Sequence, residues 1–469
     1  PAFQNRIYFL KCLVLYCRTN HYLLVLLTWP SSKTTCIILF LVITKPTNIM
    51  IFSPIFYSSH LAAEIRGRTG VYDVQILIYQ KMYIFLYQNL NIMAAPFVFG
   101  KIAEGNNFID REKDTKRLAE NFMSLTNTIL ISPRRWGKSS LVHKAGTEAM
   151  SKDSNLKIVF IDIFNVRTEE EFFSKFASEV LKQTASSVDN ILTAVKKYAS
   201  AIVSGLSFGD AAAPTSIQFQ IKEPKMSIDE ILDLPEKIAA DRKMKIVICI
   251  DEFQQIGMFS SPKEFQATLR SKWQLQQHVS YCLYGSRRHM LMEVFGKVSM
   301  PFYKFGAIYF LEKIDRAFWP DYISREFRNT GKIITAEQCE RIVQLADNNP
   351  YYVQQLAQTT WLHCQSDSCA DSDITDAFDD ILRQQGELNR ALTLSLTISQ
   401  QNLLHAMSAG EKNLSSQKVL KEYNLKSSTE VSRARKALIA NDILDDFGKQ
   451  YSFEDPLFEY WLKNVFFKY

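Results

Sequence analysis

Two short stretches of this 469-residue chain combine residue types that can hold and attack a chain of phosphates. The first is Ser132-Pro-Arg-Arg-Trp-Gly137-Lys138-Ser139. It has the spacing G-x-x-x-x-G-K-S/T of a phosphate-binding loop, with Ser132 in place of the first glycine. In such a loop successive backbone N–H groups curl around the β-phosphate, and the N-terminus of the following helix adds partial positive charge. Gly137 permits close backbone approach. Lys138 is expected to reach the β- and γ-phosphates, and the Ser139 hydroxyl to hold Mg²⁺. Pro133, Arg134, Arg135, Trp136 and Ser140 complete the expected binding loop. Ser132 demands that its position avoid a dihedral reserved for glycine.

The second stretch is Lys245-Ile-Val-Ile-Cys-Ile-Asp251-Glu252, an apolar strand ending in paired carboxylates. Such a strand is expected beside the strand of the phosphate loop, delivering its carboxylates to the metal. Asp251 would hold Mg²⁺ through water, and Glu252 would polarise the attacking water. An apolar run followed by Asp-Glu is common by itself. Its order after the loop, with strands between, makes the pair specific.

The elements around these motifs alternate. Residues 108–125 read as a turn and an amphipathic helix, and 128–131 as a β-branched strand leading into the loop. A helix starts at Lys138, a strand covers 157–163, and 169–184 is helical. Residues 204–225, rich in Gly, Ala, Ser and Pro, read as an insertion or flexible arm. A helix at 228–241, a strand at 245–250, a helix at 262–277 and a strand at 279–285 follow. Apolar strands alternating with helices predict an α/β fold, a parallel sheet with helices on both faces. Beyond about residue 310 the pattern is helical, and it ends in a small helix-and-wing unit.

The bulk numbers are those of a globular protein: 47% hydrophobic, 22% charged, formal net charge +6. The positive charge is spread along the chain, which permits a nucleic-acid partner without arguing for one. The eight cysteines contain no C-x-x-C pair and read as free thiols of a cytoplasmic protein. Residues 1–92 differ from the rest. Their apolar runs at 22–29 and 36–43 are far short of the roughly 20 residues a membrane-crossing helix needs. The first 92 residues are expected to be a non-native or disordered extension, with the fold starting at Met93; a membrane anchor is the alternative. The expected divisions are a phosphate-loop core over 93–305, a helical lid over 306–390 and a winged helix over 391–469.

With these residues in hand, the chain resembles the prokaryotic AAA-like ATPases related to origin-recognition initiators and signal-transduction (STAND) NTPases. The resemblance runs from about Phe108 to the C-terminus. Phe108-Ile-Asp110-Arg111-Glu112 stands where the family has a phrase of the type F-x-G-R-E, with Asp110 in place of glycine. The resemblance implies that Phe108 and Ile109 lie against adenine; a hydrophobic staple before a helix is the alternative. Gly285-Ser286-Arg287-Arg288 resembles the sensor 1 segment, which nominates Ser286 and Arg287 as groups that feel the γ-phosphate. A solvated surface is the other reading for the arginines. Asn348-Asn349-Pro350-Tyr351-Tyr352 resembles the lid motif that touches the base, although Pro350 is also a natural first residue of a helix.

The C-terminal unit reads as helices at 400–407, 416–423 and 429–441 and short strands at 443–446 and 450–453, the pattern of a winged helix. Ser427 and Ser428 are N-cap candidates for the third helix. Val431, Ala434 and Leu438 would face its core, and Arg433 and Lys436 would face outward toward DNA or a protein partner. The reading that follows is an ATP- and Mg²⁺-dependent ATPase switch with no membrane partner, with nucleotide-dependent self-association as a further expectation. The alternative is a DNA- or protein-binding module that keeps ATP for stability without hydrolysing it.

Overall fold

A computed structural model describes residues 95–185, 224–447 and 450–468, together with the backbone of six strands outside these ranges. The chain forms two compact units, Pro1–Met93 and Ala94–Tyr469. In the first, strands β1 (Lys11–Cys17), β2 (Tyr22–Pro30), β3 (Cys36–Thr44) and β4 (Ile49–Ile51) pair antiparallel in sequence order. Both apolar runs of the N-terminal segment therefore fall on paired strands. The rest of 1–92 lies outside the described residues.

The second unit opens with helix α1 (Glu112–Met123), strand β5 (Thr128–Ile131) and helix α2 (Lys138–Lys152). Strand β6 (Leu156–Asp162) and helix α3 (Glu169–Thr184) follow, the helix capped by Thr168, whose hydroxyl accepts from the Glu171 N–H. The expected insertion at 204–225 lies mostly outside the described residues. Within it, β7 (Leu206–Phe208) and β8 (Ile217–Phe219) pair antiparallel. Helix α4 (Pro224–Arg242), strand β9 (Lys245–Asp251), helix α5 (Pro262–Trp273), strand β10 (Val279–Gly285), helix α6 (Arg288–Phe295) and strand β11 (Ala307–Phe310) complete the core.

The core sheet is parallel, in the order β11-β5-β10-β9-β6. Alternate residues of the central strands face two separate cores. Ile129, Ile131, Ile246, Ile248, Ile250, Tyr281 and Leu283 pack under α3, α4, α5 and α6. Leu130, Val247, Cys249, Cys282 and Tyr284 pack under α1 and α2. Helices thus cover both faces, as the continuous apolar strands require. Two expectations are corrected. The carboxylate strand β9 is not beside the loop strand β5, because β10 lies between them. The core also continues past residue 305, since β11 pairs with β5 along Ala307↔Thr128 to Phe310↔Ile131.

Helices α7 (Phe318–Asn329), α8 (Ala336–Leu345), α9 (Pro350–His363) and α10 (Asp371–Ser395) form the lid. Helices α11 (Ile398–Ser408), α12 (Gln417–Glu422) and α13 (Ser428–Ala440) lead to the antiparallel wing β12 (Leu444–Phe447) and β13 (Gln450–Phe453), then α14 (Pro456–Trp461). Ser427 caps α13, and Val431, Ala434 and Leu438 are buried. The expected division between residues 390 and 391 falls inside α10, and lid and winged helix share one hydrophobic cluster that includes Trp319, Ile342, Phe378, Leu404 and Trp461. Among the described residues no helix is long and apolar enough to cross a membrane.

Gly306 is where β11 meets the loop strand: a Cβ there would stand 2.3 Å from the Asn127 carbonyl oxygen. Gly306→Ala must push backbone aside, so it is expected to destabilise the second unit by about 1–3 kcal/mol. Urea unfolding followed by tryptophan fluorescence measures this, and an unchanged midpoint would contradict the close docking.

Candidate functional site

All five core strands run in one direction, so their C-terminal ends meet at one edge, the usual ligand side of an open parallel sheet. From β5 the chain turns through Ser132 and Pro133, both buried, into α2. Ser132 does not take a positive φ, which is why serine is tolerated there; the loop's left-handed positions are Arg135 (φ 65°) and Gly137 (φ 83°). A Cβ built on Gly137 meets no atom within 4 Å, so glycine is favoured there by its dihedral.

The two motifs meet across the intervening strand. Ser139 Oγ donates to Asp251 Oδ2 at 2.7 Å, and the Glu252 N–H donates to Asp251 Oδ1 at 2.8 Å. Lys138 is buried, with Nζ 3.6 Å from Glu252 Oε1. Glu252 leaves the strand in the left-handed region (φ 55°), which turns its side chain back toward the loop. Its Oε2 accepts from Gln254 Nε2 and, at 3.0 Å, from Ser286 Oγ. A Cβ on Gly285 would stand 1.9 Å from Gln254 Oε1, so glycine at this strand end leaves room for the side chain that holds Glu252.

Electrostatics single out Asp251. Burial raises its pKa to about 6, with Glu252 adding to the effect; Lys138, the Ser139 hydroxyl and the Glu252 N–H only partly oppose it. A partly buried carboxylate with this surplus cost fits a position that receives a cation.

Beside the loop lies a cleft of about 360 Å³, lined by Gly137, Lys138 and Ser139 on one side and by Pro350 and Tyr351 at the start of α9 on the other. Its third wall is residues 98–103, which the motif reading missed. That segment is fixed without regular structure: the Val98 N–H donates to Gln354 Oε1 (3.2 Å), the Ala103 N–H to Ser140 Oγ (2.9 Å), and Phe99 stacks edge-on to Tyr351. The Phe-Val-Phe-Gly run at 97–100, with Gly100 at φ 71°, was its signal.

The structure brings Gly137, Lys138, Ser139, Ser140, Asp251, Glu252, Ser286 and Pro350 to this edge. Phe108 and Ile109 are not among the residues lining the cleft; each is partly buried against a hydrophobic core. Asn349 caps α9, with its side chain accepting from the Tyr351 and Tyr352 N–H groups, so Pro350 both starts a helix and lines the cleft. Asp110, standing for glycine, takes φ 54°, a region aspartate tolerates better than most residues. Trp136 is half-buried, and its carbonyl accepts from Arg111.

The arginines are held by acids of the C-terminal unit, Arg135 while also lining the cleft. Arg287, nominated for the γ-phosphate, instead pairs through Nε with Asp442 of the winged helix at 2.9 Å. Arg134 pairs with the same carboxylate oxygen at 3.1 Å, and Arg135 with Asp455 at 3.1 Å while donating to Tyr352 Oη at 2.6 Å. Arg288 pairs with Asp445 at 2.9 Å, both nearly buried. Glu454, among these acids, is pushed up to about 7 by burial first and then by Asp445 and Asp442.

These features are those of a P-loop fold, a parallel sheet with helices on both faces, followed by a helical lid and a winged helix. Comparison with known proteins agrees at the level of fold. The family described as "Probable winged helix domain" matches residues 389–464. The Walker-type ATPase of Pyrococcus abyssi is similar in structure, with 17% identity, a TM-score of 0.56 and coverage of 78% of this chain and 99% of that one. The ORC2 protein of Aeropyrum pernix, solved as ADPNP–ADP complexes, has 14% identity, a TM-score of 0.51 and coverage of 79% and 97%. No curated protein sequence matches the chain.

The raised pKa of Asp251 has a consequence in the absence of nucleotide and Mg²⁺. Its folded value lies above the unfolded one, so between about pH 4 and about pH 6 the folded chain holds the extra proton and stability falls as pH rises. Asp251→Asn removes that loss. The variant is expected to gain on the native chain across this window and to level off roughly 2–3 kcal/mol more stable above it. Parallel pH profiles of unfolding free energy would show that Asp251 is solvated.

Proposed function

We propose that this protein binds ATP with Mg²⁺, hydrolyses it, and uses the state of the nucleotide to set whether its winged helix stays docked on the phosphate loop. The observation that carries hydrolysis is Glu252, held at the end of β9 opposite Lys138 and gripped by Ser286 and Gln254. The loop N–H groups and Lys138 offset phosphate charge, and the apolar wall at residues 98–103 with Pro350 and Tyr351 suits a base. Ser139 and Asp251 would hold Mg²⁺, which when bound neutralises phosphate oxygens. Glu252 then orients a water and accepts its proton. The winged helix contacts DNA or a protein partner through α13, where Arg433 and Lys436 are exposed.

A binding-only reading has one observation in its favour: both Glu252 oxygens are already engaged, one beside Lys138 and one by two donors. Glu252→Gln separates the two. It keeps size and removes the base, so nucleotide binding is expected to persist while turnover falls by ~10²-fold or more. Lys138→Ala, by contrast, is expected to lose nucleotide binding. A fluorescent ATP analogue and phosphate release measure the two steps. A native chain with no turnover, or a Gln variant as fast as native, would remove Glu252 as base.

The docking half is tested at Asp442, which holds Arg134 and Arg287 together. Asp442→Asn frees both arginines, and nucleotide binding is expected to tighten several-fold while amide exchange in β12 and β13 speeds up. Unchanged affinity and exchange would show that the contact holds nothing in place.

A further inference from the structure

The loop joining α9 to α10 carries Cys364 and Cys369, and the first turn of α10 carries Asp373. Their two Sγ atoms and a carboxylate oxygen lie within 4.8 Å of one another. Both cysteines are free and buried, at 2% and 6% exposure, and Asp373 is half-buried. Among the described residues this is the one group of His, Cys, Asp and Glu with metal-ligating proximity. We propose that Cys364, Cys369 and Asp373 form a binding site for a zinc-type divalent cation, independent of the nucleotide site.

Three observations support a site over buried thiols as core filler. The first is the donor set. Two thiolates select a soft or borderline cation over Mg²⁺ or Ca²⁺, and the C-x₄-C spacing is within the range of zinc sites. A carboxylate as third ligand leaves one position of a tetrahedron to water. The second is preorganisation. The loop is pinned by the Ile333 N–H to Asp367 O (2.7 Å), the Cys369 N–H to Ile333 O (2.8 Å) and Gln338 Nε2 to Cys369 O (3.0 Å). Lys332 Nζ donates to the carbonyls of Trp361 and Cys364. The sulfurs are therefore held in place by their backbone. The third is that Asp373 accepts from the Ala370 N–H through Oδ2 alone (2.8 Å) and has a second oxygen to offer. The adjacent His363 is outside the set, its ring bound to Asp380 at 2.7 Å.

Binding replaces two S–H bonds by two metal–sulfur bonds and releases both protons to solvent, with no change of oxidation state. The cation would tie the C-terminal end of α9 to the start of α10. The opposite end of α9 carries Pro350 and Tyr351, so the ion stiffens the lid from the side away from the cleft.

The test uses the full chain, purified under reductant and stripped of metal with a chelator. Titration with Co²⁺ is expected to give the thiolate-to-cobalt charge-transfer band and the strong visible bands of a tetrahedral site. Zn²⁺ is expected to abolish them and to raise the melting temperature, which Mg²⁺ does not do. Cys364→Ser should remove the charge-transfer band. Asp373→Asn keeps an acceptor for the Ala370 N–H, and therefore the fold, yet should weaken zinc by roughly tenfold or more. A folded chain with no cobalt–thiolate band overturns the proposal. So does a band that survives Cys364→Ser, or a mass showing that Cys364 and Cys369 form a disulfide without metal under these conditions.

Discussion

Asp251 is a partly buried carboxylate, and the elements around it are placed so that its desolvation is tolerable. Ser139, Lys138 and the Glu252 N–H come to it from the first turn of α2 and from its own strand end, across the full width of β10. Only a parallel sheet with its strand ends in register brings β5 and β9 close enough for a 2.7 Å contact between residues so distant in sequence. The intervening strand must also end without a side chain. Gly285 meets that need, since any Cβ would occupy the space of Gln254 and loosen Glu252. The burial penalty is only partly offset by neighbouring groups, and the proposed divalent ion would relieve what Lys138 and the hydroxyl leave unbalanced.

Local pattern reached this edge but not its assembly. Strands β5 and β10 and helix α3 have the bounds their periodicity and caps predict, because each is specified by residues within a few positions of one another. Strand order is different in kind. That β10 separates β5 from β9 is decided by which faces α1 to α6 can cover, and nothing inside β9 encodes its neighbour. Strand β11 was illegible as core for a related reason: four residues long, half-exposed in alternation and next to a helical region, it gains its identity from pairing with β5. The wall at residues 98–103 has no period at all. It is shaped by side chains of Gln354 and Ser140 meeting backbone N–H groups, a long-range feature. Arg287 shows the limit of reading a role from sequence neighbours, since its partner Asp442 lies far along the chain.

The arginines suggest how one edge could serve both the proposed nucleotide and a winged helix. A guanidinium offers the same fork of donors to a carboxylate as to a phosphate. Arg134 and Arg135 belong to the phosphate loop yet are held by Asp442 and Asp455, so under the proposed function the winged helix and a phosphate chain would address the same groups. Those two pairs are half-exposed on the arginine side and are worth about 0–1 kcal/mol each. Arg288 and Asp445 are nearly buried, and breaking one partner away would leave a desolvated charge, so this pair sets the register of docking. A contact made of one strong pair and several weak ones is suited to a switch. In the proposed switch, the weak pairs would total no more than a ligand can supply through its difference in affinity for the two states, while the buried pair would return the winged helix to the same place.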